Sequence, residues 1–213
     1  RIMCGDSTIS DDVEKLMNGE KADMVFTDPP WNVNYGSFDN SNNAMGYKRR
    51  AILNDSMTTD DFKGFMNKSF NNIATNSKKG CLTYIVMSAQ EWGNLMLTLT
   101  DNNYHWSSTI IWNKSSLVLS RKDYHTKYEP IWYGWLDGES RICPLKDRKQ
   151  SDVWDIDRPS RSDLHPTTKP IELIEKAIIN SSKKNSLVID YFMGSGSTLI
   201  ACEKTGRKCY GME

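Results

Sequence analysis

The chain of 213 residues is long enough for one domain with a sizeable hydrophobic core. Hydrophobic residues make up 38% of it and charged residues 25%, which is typical of a soluble globular protein. Lysine plus arginine and aspartate plus glutamate number 27 each, so no global basic charge indicates a nucleic-acid partner, and the balance alone favours a small-molecule enzyme. No apolar run approaches the roughly 20 residues of a membrane span, and no signal-peptide pattern is present.

The five cysteines and three histidines do not form a metal-binding pattern. The cysteines are odd in number and form no C-x-x-C pair, and the histidines are far apart in sequence, so we predict no metal site. A reduced, cytoplasmic setting fits this usage of cysteine. Cys4, Cys81 and Cys209 lie within apolar segments and are predicted to be inert thiols in the core.

The first half of the chain alternates short apolar runs with helical periodicities. Strands are predicted at 2–4, 22–27 and 81–87, and helices at 11–17, from Thr58 or Thr59 to Ile73, and at 92–99. Residues 32–55 lose this periodicity and are rich in asparagine, serine and glycine. Because so long a loop in a compact domain is usually functional or disordered, we expect a mobile flap over a site.

The second half continues the alternation. Strands are predicted at 107–112, 130–135, 187–190 and 208–212, and helices from Pro170, in the first turn, to Ile178 and at 199–204. A polar, basic segment at 114–129 joins the first two of these strands, and residues 136–164 are irregular except for a strand-like patch around Val153 and Trp154. Because strands and helices alternate almost throughout, the pattern predicts an α/β fold with a mainly parallel sheet that helices cover on both faces.

Asp28, Pro29, Pro30 and Trp31 directly follow the apolar strand at 22–27. Proline fixes φ and cannot donate to a sheet ladder, so the chain is predicted to leave the sheet in a stiff, extended turn. This turn places a carboxylate, a carbonyl and an indole at the carboxyl end of a strand, where open α/β sheets bind ligands. The alternative is a rigid turn with a core tryptophan.

The chemistry of this turn suits an exocyclic aromatic amine. The Asp28 carboxylate and the Pro29 carbonyl can accept its two N–H protons, which favours a more tetrahedral nitrogen and disperses developing positive charge. Trp31 offers a face on which a base can stack, and Pro30 holds the turn rigid. With a sulfonium methyl donor nearby, direct in-line methyl transfer would follow without a covalent enzyme intermediate.

A glycine turn indicates where such a donor would bind. Gly194 and Gly196 stand between a predicted strand and a helix, and Glu213 follows about 20 positions later, where an acid holds the two hydroxyls of a ribose. The third glycine of the pyrophosphate fingerprint is missing, which favours a nucleoside-like cofactor without pyrophosphate. The alternative is a tight strand-to-helix turn and a surface glutamate.

Three segments resemble motifs of the amino-methylating DNA methyltransferases: 28–31, 165–170 and 190–198. The order, with the catalytic motif first and the cofactor motif last, is similar to that of the beta class. The resemblance spans nearly the whole chain and is strongest to phage and prophage adenine-specific enzymes, where residues 146–154 are also similar. With this resemblance we expect a Rossmann-like methyltransferase fold, in which a mostly parallel seven-stranded sheet ends in an antiparallel hairpin and helices lie on both faces. The resemblance also implies S-adenosylmethionine as methyl donor and DNA as partner.

The resemblance also bears on the product. Aspartate in first place and an aromatic residue in last place are typical of adenine N6 enzymes, whereas cytosine N4 enzymes more often begin with serine. Cytosine N4 methylation is therefore the alternative within the family. A catalytically silent module that binds DNA or the cofactor is the alternative outside it, and the intact Asp28 and Trp31 argue against such a module.

The resemblance assigns roles to individual residues. Asp28, Pro29, Pro30 and Trp31 would be catalytic. Glu213 would bind the ribose, His165 and Lys169 the methionine end, and Asp6 would lie near the adenine moiety. The full predicted cofactor set is Asp6, Asp28, His165, Thr167, Lys169, Asp190, Phe192, Gly194, Gly196, Ser197, Thr198 and Glu213. For His165 the alternative is a helix-capping or core histidine, and for Lys169 a solvated lysine.

Members of this family flip their target base out of the duplex. Basic residues in the flap and beyond it would contact phosphates, although charge runs of this kind are most often solvated surface. The candidates are Lys48, Arg49, Arg50, Lys114, Arg121, Lys122, Arg141, Arg148 and Lys149.

We expect residues 1–213 to form a single methyltransferase catalytic domain, with a flap at 32–55 and a short target-recognition insert at 136–164. The chain begins inside a strand and stops at the expected ribose-binding acid, so we expect it to be the catalytic core of a longer chain. The sequence leaves open the recognition site and the oligomeric state, with a homodimer among the options. A restriction partner, a regulatory mark and phage self-protection are all compatible with it.

Overall fold

The computed structural model describes residues 1–34, 54–119, 123–147, 149–158 and 168–213. These residues form one sheet with helices packed on both faces, a Rossmann-like arrangement. The strands are β1 (Ile2–Met3), β2 (Ala22–Thr27), β3 (Ser77–Val86), β4 (Tyr104–Val118), β5 (Thr126–Leu136), β6 (Val153–Asp155), β7 (Leu187–Asp190) and β8 (Lys208–Met212). The helices are α1 (Ser10–Met17), α2 (Thr59–Thr75), α3 (Trp92–Asp101), α4 (Ile171–Ser181) and α5 (Ser197–Thr205).

The sheet has eight strands in the order β1-β8-β7-β2-β3-β5-β4-β6. All neighbouring pairs are parallel except those of β5, which runs antiparallel to both β3 and β4. The predicted mostly parallel sheet with an antiparallel hairpin is confirmed. The predicted number of strands, seven, is too small, because the strand-like patch at Val153 and Trp154 pairs with β4 as the edge strand β6.

Apolar side chains on the two faces of the sheet build two separate cores. Helices α1, α2 and α3 cover one face, where Val25 of β2 is buried. Helices α4 and α5 cover the other, where its neighbours Met24 and Phe26 are buried. This alternation follows from the two-residue period of a strand, and a strand buried on both sides reads as a continuous apolar run.

Helix α2 begins where the sequence predicts. Thr58 has extended backbone, and its hydroxyl accepts a hydrogen bond from the Asp61 N–H at 3.2 Å. Asp60 and Asp61 lie in the first turn, where negative charge stabilises the amino end of a helix. Helix α4 begins one residue later than predicted, because Pro170 is its N-cap rather than a residue of its first turn.

The hairpin of β4 and β5 is longer than predicted. The polar segment at 114–129, expected as a connection, continues both strands, and pairing extends to Val118 opposite Thr126. Strands of this kind show no apolar pattern in the sequence. Cross-strand hydrogen bonds join backbone groups, so they form whichever exposed side chains the strands carry. Within the predicted recognition insert at 136–164, residues 153–155 belong to the sheet.

Two further expectations have definite outcomes. Cys4 is exposed, so its prediction as a core thiol is wrong, whereas Cys81 and Cys209 are buried. The predicted flap at 32–55 lies outside the described residues over positions 35–53. Among the residues that the structure describes, no helix is long and apolar enough to cross a membrane.

Gly134 of β5 provides a test of the hairpin packing. A Cβ there would lie 2.0 Å from the His105 backbone oxygen and 2.4 Å from the Trp132 ring, so Gly134→Ala should lower the free energy of unfolding by about 3 kcal/mol. Gly64→Ala in α2 is the matched control, because its Cβ would meet nothing within 4 Å. Alanine there should raise stability by roughly 0.5–1 kcal/mol. Urea unfolding measures both, and equal stabilities for the two variants would contradict this packing.

Candidate active site

Four neighbouring parallel strands end at one edge of the sheet. Asp6 follows β1, Glu213 follows β8, Asp190 ends β7, and Asp28 follows β2. The connections after β2 and β7 diverge at this point, since α2 packs on one face of the sheet and α5 on the other. Ligands of open α/β sheets bind at such a crossing point, outside the carboxyl ends of the strands.

The turn after β2 is held from both sides. The Trp31 indole Nε1–H donates to Asp28 Oδ1 at 3.0 Å, which fixes the ring relative to the carboxylate. Asp55, a buried residue just before α2, accepts from the backbone N–H groups of Trp31 and Val33, each at 3.2 Å. Trp31 is partly buried and packs against both cores. Asp55 could not be predicted from its sequence neighbours, because its role depends on contacts with residues more than 20 positions earlier in the chain.

Asp28 forms its second contact with Lys169. The Lys169 ammonium donates to Asp28 Oδ2 at 2.5 Å and lies 4.9 Å from the centre of the Trp31 ring, a cation–π geometry. Only 8% of the Lys169 side chain is exposed. The solvated-lysine alternative for this residue is therefore wrong, and the structure brings Lys169 to the turn after β2 that was predicted to be catalytic.

The ion pair continues away from the turn. Lys169 Nζ lies 3.4 Å from Glu129 Oε2, and Glu129 Oε1 lies 2.7 Å from Lys114 Nζ. Asp28, Lys169, Glu129 and Lys114 thus form a row of charges that alternate in sign, which we call the charge row. Sequence reasoning missed Glu129 and expected Lys114 on the DNA. Since only 5% of Lys114 is exposed, the expectation of a surface phosphate contact is corrected.

Burial and charge act in opposite directions on the pKa values of the charge row. Burial raises the pKa of Asp28, as does the Glu129 charge, and the Lys169 ammonium lowers it without reversing the shift. Burial disfavours the Lys169 ammonium, but the two carboxylates outweigh this and raise its pKa. Burial also acts to raise the pKa of Glu129, and its two lysine partners more than reverse that effect.

Asp190 lies wholly inside the protein and ties three elements together. Its Oδ1 accepts from the Thr27 hydroxyl at 2.8 Å and from the Phe192 N–H at 3.1 Å, and its Oδ2 accepts from the Thr198 hydroxyl at 2.6 Å. These donors belong to β2, the glycine loop and α5. Burial raises the pKa of Asp190 to about 6, although the three hydrogen bonds lower it in part.

The glycine loop at 191–196 connects β7 to α5. Gly194 and Gly196 have φ values of 52° and 82°, in the left-handed region that favours glycine. The Gly194 N–H donates to Glu213 Oε2 at 2.7 Å, so the loop and the end of β8 are joined. A Cβ on Gly196 would meet nothing within 4 Å. The loop therefore leaves open space beside an exposed carboxylate.

The remaining predicted residues are placed as follows. Asp6 is exposed, and its Oδ1 accepts from the backbone and hydroxyl of Thr8 at 2.8 and 2.7 Å. The half-buried ring of Phe192 lies 5.8 Å from that of Phe65, and the hydroxyl-bearing Ser197 and Thr198 are buried at the start of α5. The structure thus gathers Asp6, Asp28, Pro29, Pro30, Trp31, Lys169, Asp190, Phe192, Gly194, Gly196, Ser197, Thr198 and Glu213 along one edge of the sheet.

Several predicted residues lie outside the part of the chain that the structure describes. They are His165, Thr167, Lys48, Arg49, Arg50, Arg121, Lys122 and Arg148. Lys149 is exposed, and the Arg141 guanidinium lies 5.0 Å from the centre of the Trp135 ring. A polar cavity of about 390 Å³ also opens between β4 and β6, beside Lys114 and Lys127. No group of three metal-ligating side chains occurs among the described residues.

The raised pKa of Asp190 makes stability depend on pH. The folded protein binds this proton more tightly than the unfolded chain, so the free energy of unfolding should fall as the pH rises from 3.8 to about 6. At about 1.4 kcal/mol per pH unit, this group contributes about 3 kcal/mol to the decrease. Asp190→Asn removes this titrating group. Between pH 4 and pH 7, the free energy of unfolding should therefore fall by about 3 kcal/mol less in the variant than in the unmodified chain.

Denaturant unfolding at a series of pH values measures this difference. The control is Asp137→Asn, which removes an exposed carboxylate beyond β5 and should give a curve parallel to that of the unmodified chain. If Asp190→Asn also gives a parallel curve, burial does not raise the affinity of this carboxylate for a proton.

Comparison with known proteins identifies the family of the chain. Residues 22–213 match a family model described as DNA methylase, for N6 and N4 methyltransferases. Type II methyltransferase M2.LlaDCHI of Lactococcus lactis subsp. cremoris is 26% identical over 210 residues, which cover 91% of this chain and 78% of the relative. DNA adenine methyltransferase YhdJ of Escherichia coli (strain K12) is 26% identical over 231 residues, which cover 93% of this chain and 74% of the relative.

Solved structures share the fold. The M1.HpyAVI–SAM complex superposes with a TM-score of 0.70 at 19% identity, covering 100% of this chain and 92% of the other. PvuII DNA methyltransferase, described as cytosine-N4-specific, gives a TM-score of 0.73 at 15% identity, covering 100% and 80%. At these identities the likeness establishes the fold, and the match over 22–213 establishes the family. The chain is a DNA methyltransferase and belongs to the N6/N4 DNA methylase family.

Proposed function

We propose that this DNA methyltransferase transfers a methyl group from S-adenosylmethionine to the exocyclic N6 amine of adenine. The observation that carries the proposal is the position of Asp28, Pro29 and Trp31 at the carboxyl edge, beside the glycine loop. A carboxylate and a carbonyl next to an aromatic ring match an amine on a planar base. The aspartate in first place, and a relative that is named as an adenine methyltransferase, favour adenine.

The residues around the glycine loop fit S-adenosylmethionine. The exposed Glu213 carboxylate suits the two hydroxyls of a ribose, and the half-buried Phe192 ring suits the face of an adenine moiety. Both glycines of the loop have left-handed backbone, and a Cβ at Gly196 would enter open space, so this position keeps the space beside the loop free of a side chain. Asp6, after the neighbouring strand β1, adds an acceptor at the same edge. Bound there, the cofactor supplies a methyl group activated by a sulfonium.

Asp28 and the Pro29 carbonyl orient the target amine. The Trp31 indole N–H occupies Asp28 Oδ1, so an amine N–H would be accepted by Oδ2, the oxygen that also accepts from the Lys169 ammonium. Acceptance of one N–H by Oδ2 and of the other by the Pro29 carbonyl directs the nitrogen lone pair toward the methyl group. The nitrogen becomes acidic as it gains the methyl group, so Oδ2 need only receive a proton at the end and need not be a strong base.

The target base must leave the duplex to reach this turn, at a cost of a few kcal/mol. We propose that the DNA approaches the carboxyl edge of the sheet and that stacking on Trp31 offsets part of this cost. Lys127 and Lys149 are exposed lysines of the described residues on the β5 and β6 side. The basic residues of the flap would add phosphate contacts, whose number determines the salt dependence of binding.

Cytosine N4 methylation is the second candidate, because a cytosine-N4-specific enzyme shares the fold and the amine chemistry is the same. Mass spectrometry of nucleosides after incubation with mixed genomic DNA separates the two. We expect N6-methyladenine as the product. N4-methylcytosine alone would contradict adenine specificity and leave the role of Asp28 intact, whereas no methylated nucleoside at all would contradict the proposed activity.

Asp28→Asn tests the mechanism. The variant keeps the size of the side chain but gives up the charge that stabilises the developing positive nitrogen, so kcat should fall by about 100- to 1000-fold. The affinity for S-adenosylmethionine should change little, because Glu213 and the glycine loop are untouched. Transfer of labelled methyl to DNA measures kcat, and calorimetry measures cofactor binding. Asp137→Asn is the matched control at an exposed site, and a kcat for Asp28→Asn equal to that of the control would refute the proposed role.

A further inference from the structure

The charge row contains two residues that the proposed reaction does not use. Asp28 and Lys169 lie at the catalytic turn, whereas Glu129 and Lys114 extend the row toward β6. Only 12% of the Glu129 side chain and 5% of the Lys114 side chain are exposed. Burial of charges is unfavourable even when they are paired, and apolar residues of similar size often give equal stability. Stability alone therefore does not explain why these two charges are present.

The antiparallel direction of β5 brings Glu129 to the site. Since β5 runs against its neighbours, its amino end lies at the same edge as the carboxyl ends of β2, β3 and β4. Glu129 pairs with Trp112 in the sheet, and Lys114 is the next residue of β4 on the same side as Trp112. The Lys114 ammonium lies 5.3 Å from the centre of the Trp112 ring, so its side chain is also positioned by packing.

The contacts of Asp28 create a conflict that Glu129 can resolve. Oδ1 accepts from the Trp31 indole and Oδ2 accepts from Lys169, so both oxygens already have a donor. A target amine that donates to Oδ2 must compete with an ammonium, which is the stronger donor. Glu129 Oε2 is a second acceptor 3.4 Å from the same ammonium, so a small movement of Lys169 Nζ transfers the contact from one carboxylate to the other.

We propose that Glu129 is a positioning residue that takes over the Lys169 ammonium when an amine binds Asp28 Oδ2, and that Lys114 limits how strongly it does so. The inference rests on the proposed role of Asp28 in binding the amine. Lys169 then acts at the catalytic turn, as the cation that balances Asp28 before the amine arrives. The Lys169 ammonium thus contacts Asp28 before the amine binds and Glu129 afterwards.

Removal of the Glu129 charge and removal of the Lys114 charge should shift the pKa of Asp28 in opposite directions. Within the described part of the chain, the charged groups near the turn are Lys169, Glu129, Lys114, Asp190 and Asp55. Without the Glu129 charge, Lys169 stays on Asp28 and stabilises its ionised form, so the pKa of Asp28 falls. Without Lys114, Glu129 draws Lys169 away, so the pKa of Asp28 rises.

Four variants test the proposal: Glu129→Gln, Lys114→Met, their combination, and Glu129→Asp. In the chain of 213 residues, NMR titration of the Asp28 carboxyl carbon, assigned by its absence in Asp28→Asn, reports the pKa without any reaction. We expect a decrease of about one pH unit in Glu129→Gln and an increase of similar size in Lys114→Met, the scale of a unit charge several ångströms away. The double variant should match Glu129→Gln, because Lys114 acts on Lys169 only through Glu129. Glu129→Asp should lie between Glu129→Gln and the unmodified chain.

Kinetics supply the second readout. In Glu129→Gln the acid side of the kcat/KM profile should move to lower pH, and KM for DNA should rise about tenfold with a smaller change in kcat, because the amine must displace Lys169 without help. The control is Glu175→Gln, which breaks an ion pair away from the turn. In this pair, Glu175 Oε1 of α4 lies 2.5 Å from Lys204 Nζ of α5. It should leave the pKa of Asp28, the pH profile and KM unchanged.

The outcomes separate the inference from the proposed function. If the unmodified chain transfers no methyl group to DNA, the proposed function fails, and the NMR titration still tests whether Glu129 and Lys114 act on Asp28 through Lys169. Shifts of the same sign in Glu129→Gln and Lys114→Met, or no shift in either, overturn the inference even if the enzyme is active. If one single variant does not fold, the double variant, which preserves the net charge of the row, and Glu129→Asp give the comparison.

Discussion

The Asp190 carboxylate determines how the two parts of the site lie relative to each other. It is buried at the end of β7 and accepts hydrogen bonds from β2, from the glycine loop and from α5. The catalytic turn begins one residue after Thr27, so the strand that carries Asp28 and the loop proposed to hold the cofactor are attached to one carboxylate. Such a group cannot shift without loss of a buried hydrogen bond, at about 1–3 kcal/mol. A methyl donor and an acceptor amine need this shared reference, because in-line transfer depends on their relative position.

Apolar strands that end at, or one residue before, an acidic residue could be predicted from the sequence with correct bounds. The segments 22–27, 187–190 and 208–212 are of this kind, and they carry the predicted turn, glycine loop and terminal acid. The full length of the β4–β5 hairpin could not be predicted, because residues 114–118 and 126–129 are mostly polar. Their backbone hydrogen bonds come from pairing between the two strands. In the structure, Ile110, Trp112 and Lys114 are buried with the two-residue period of a strand. The lysine at the third of these positions conceals this period in the sequence.

The parts of the site that sequence reasoning missed are contacts between residues far apart in the chain. Asp55 holds the backbone of the catalytic turn, and Glu129 shares Lys169 with Asp28. Neither residue has a distinctive neighbour in sequence, so only the fold reveals its role. Lys169, by contrast, stands in a recognisable motif, yet only the structure shows that it is buried between two carboxylates rather than solvated.

The hydrogen bond from the Trp31 indole to Asp28 makes the surface that would hold the base and the group that would hold its amine parts of one rigid unit. Positions 28 and 31 therefore cannot vary independently. Phenylalanine at position 31 would retain an aromatic face but release Oδ1, which leaves the Lys169 ammonium as the remaining donor to the carboxylate and gives the carboxylate a new rotational freedom. Homologues or engineered forms with a different aromatic residue there must fix the orientation of the aspartate in some other way. For the design of altered base preference, the aromatic residue and the acid have to be changed together.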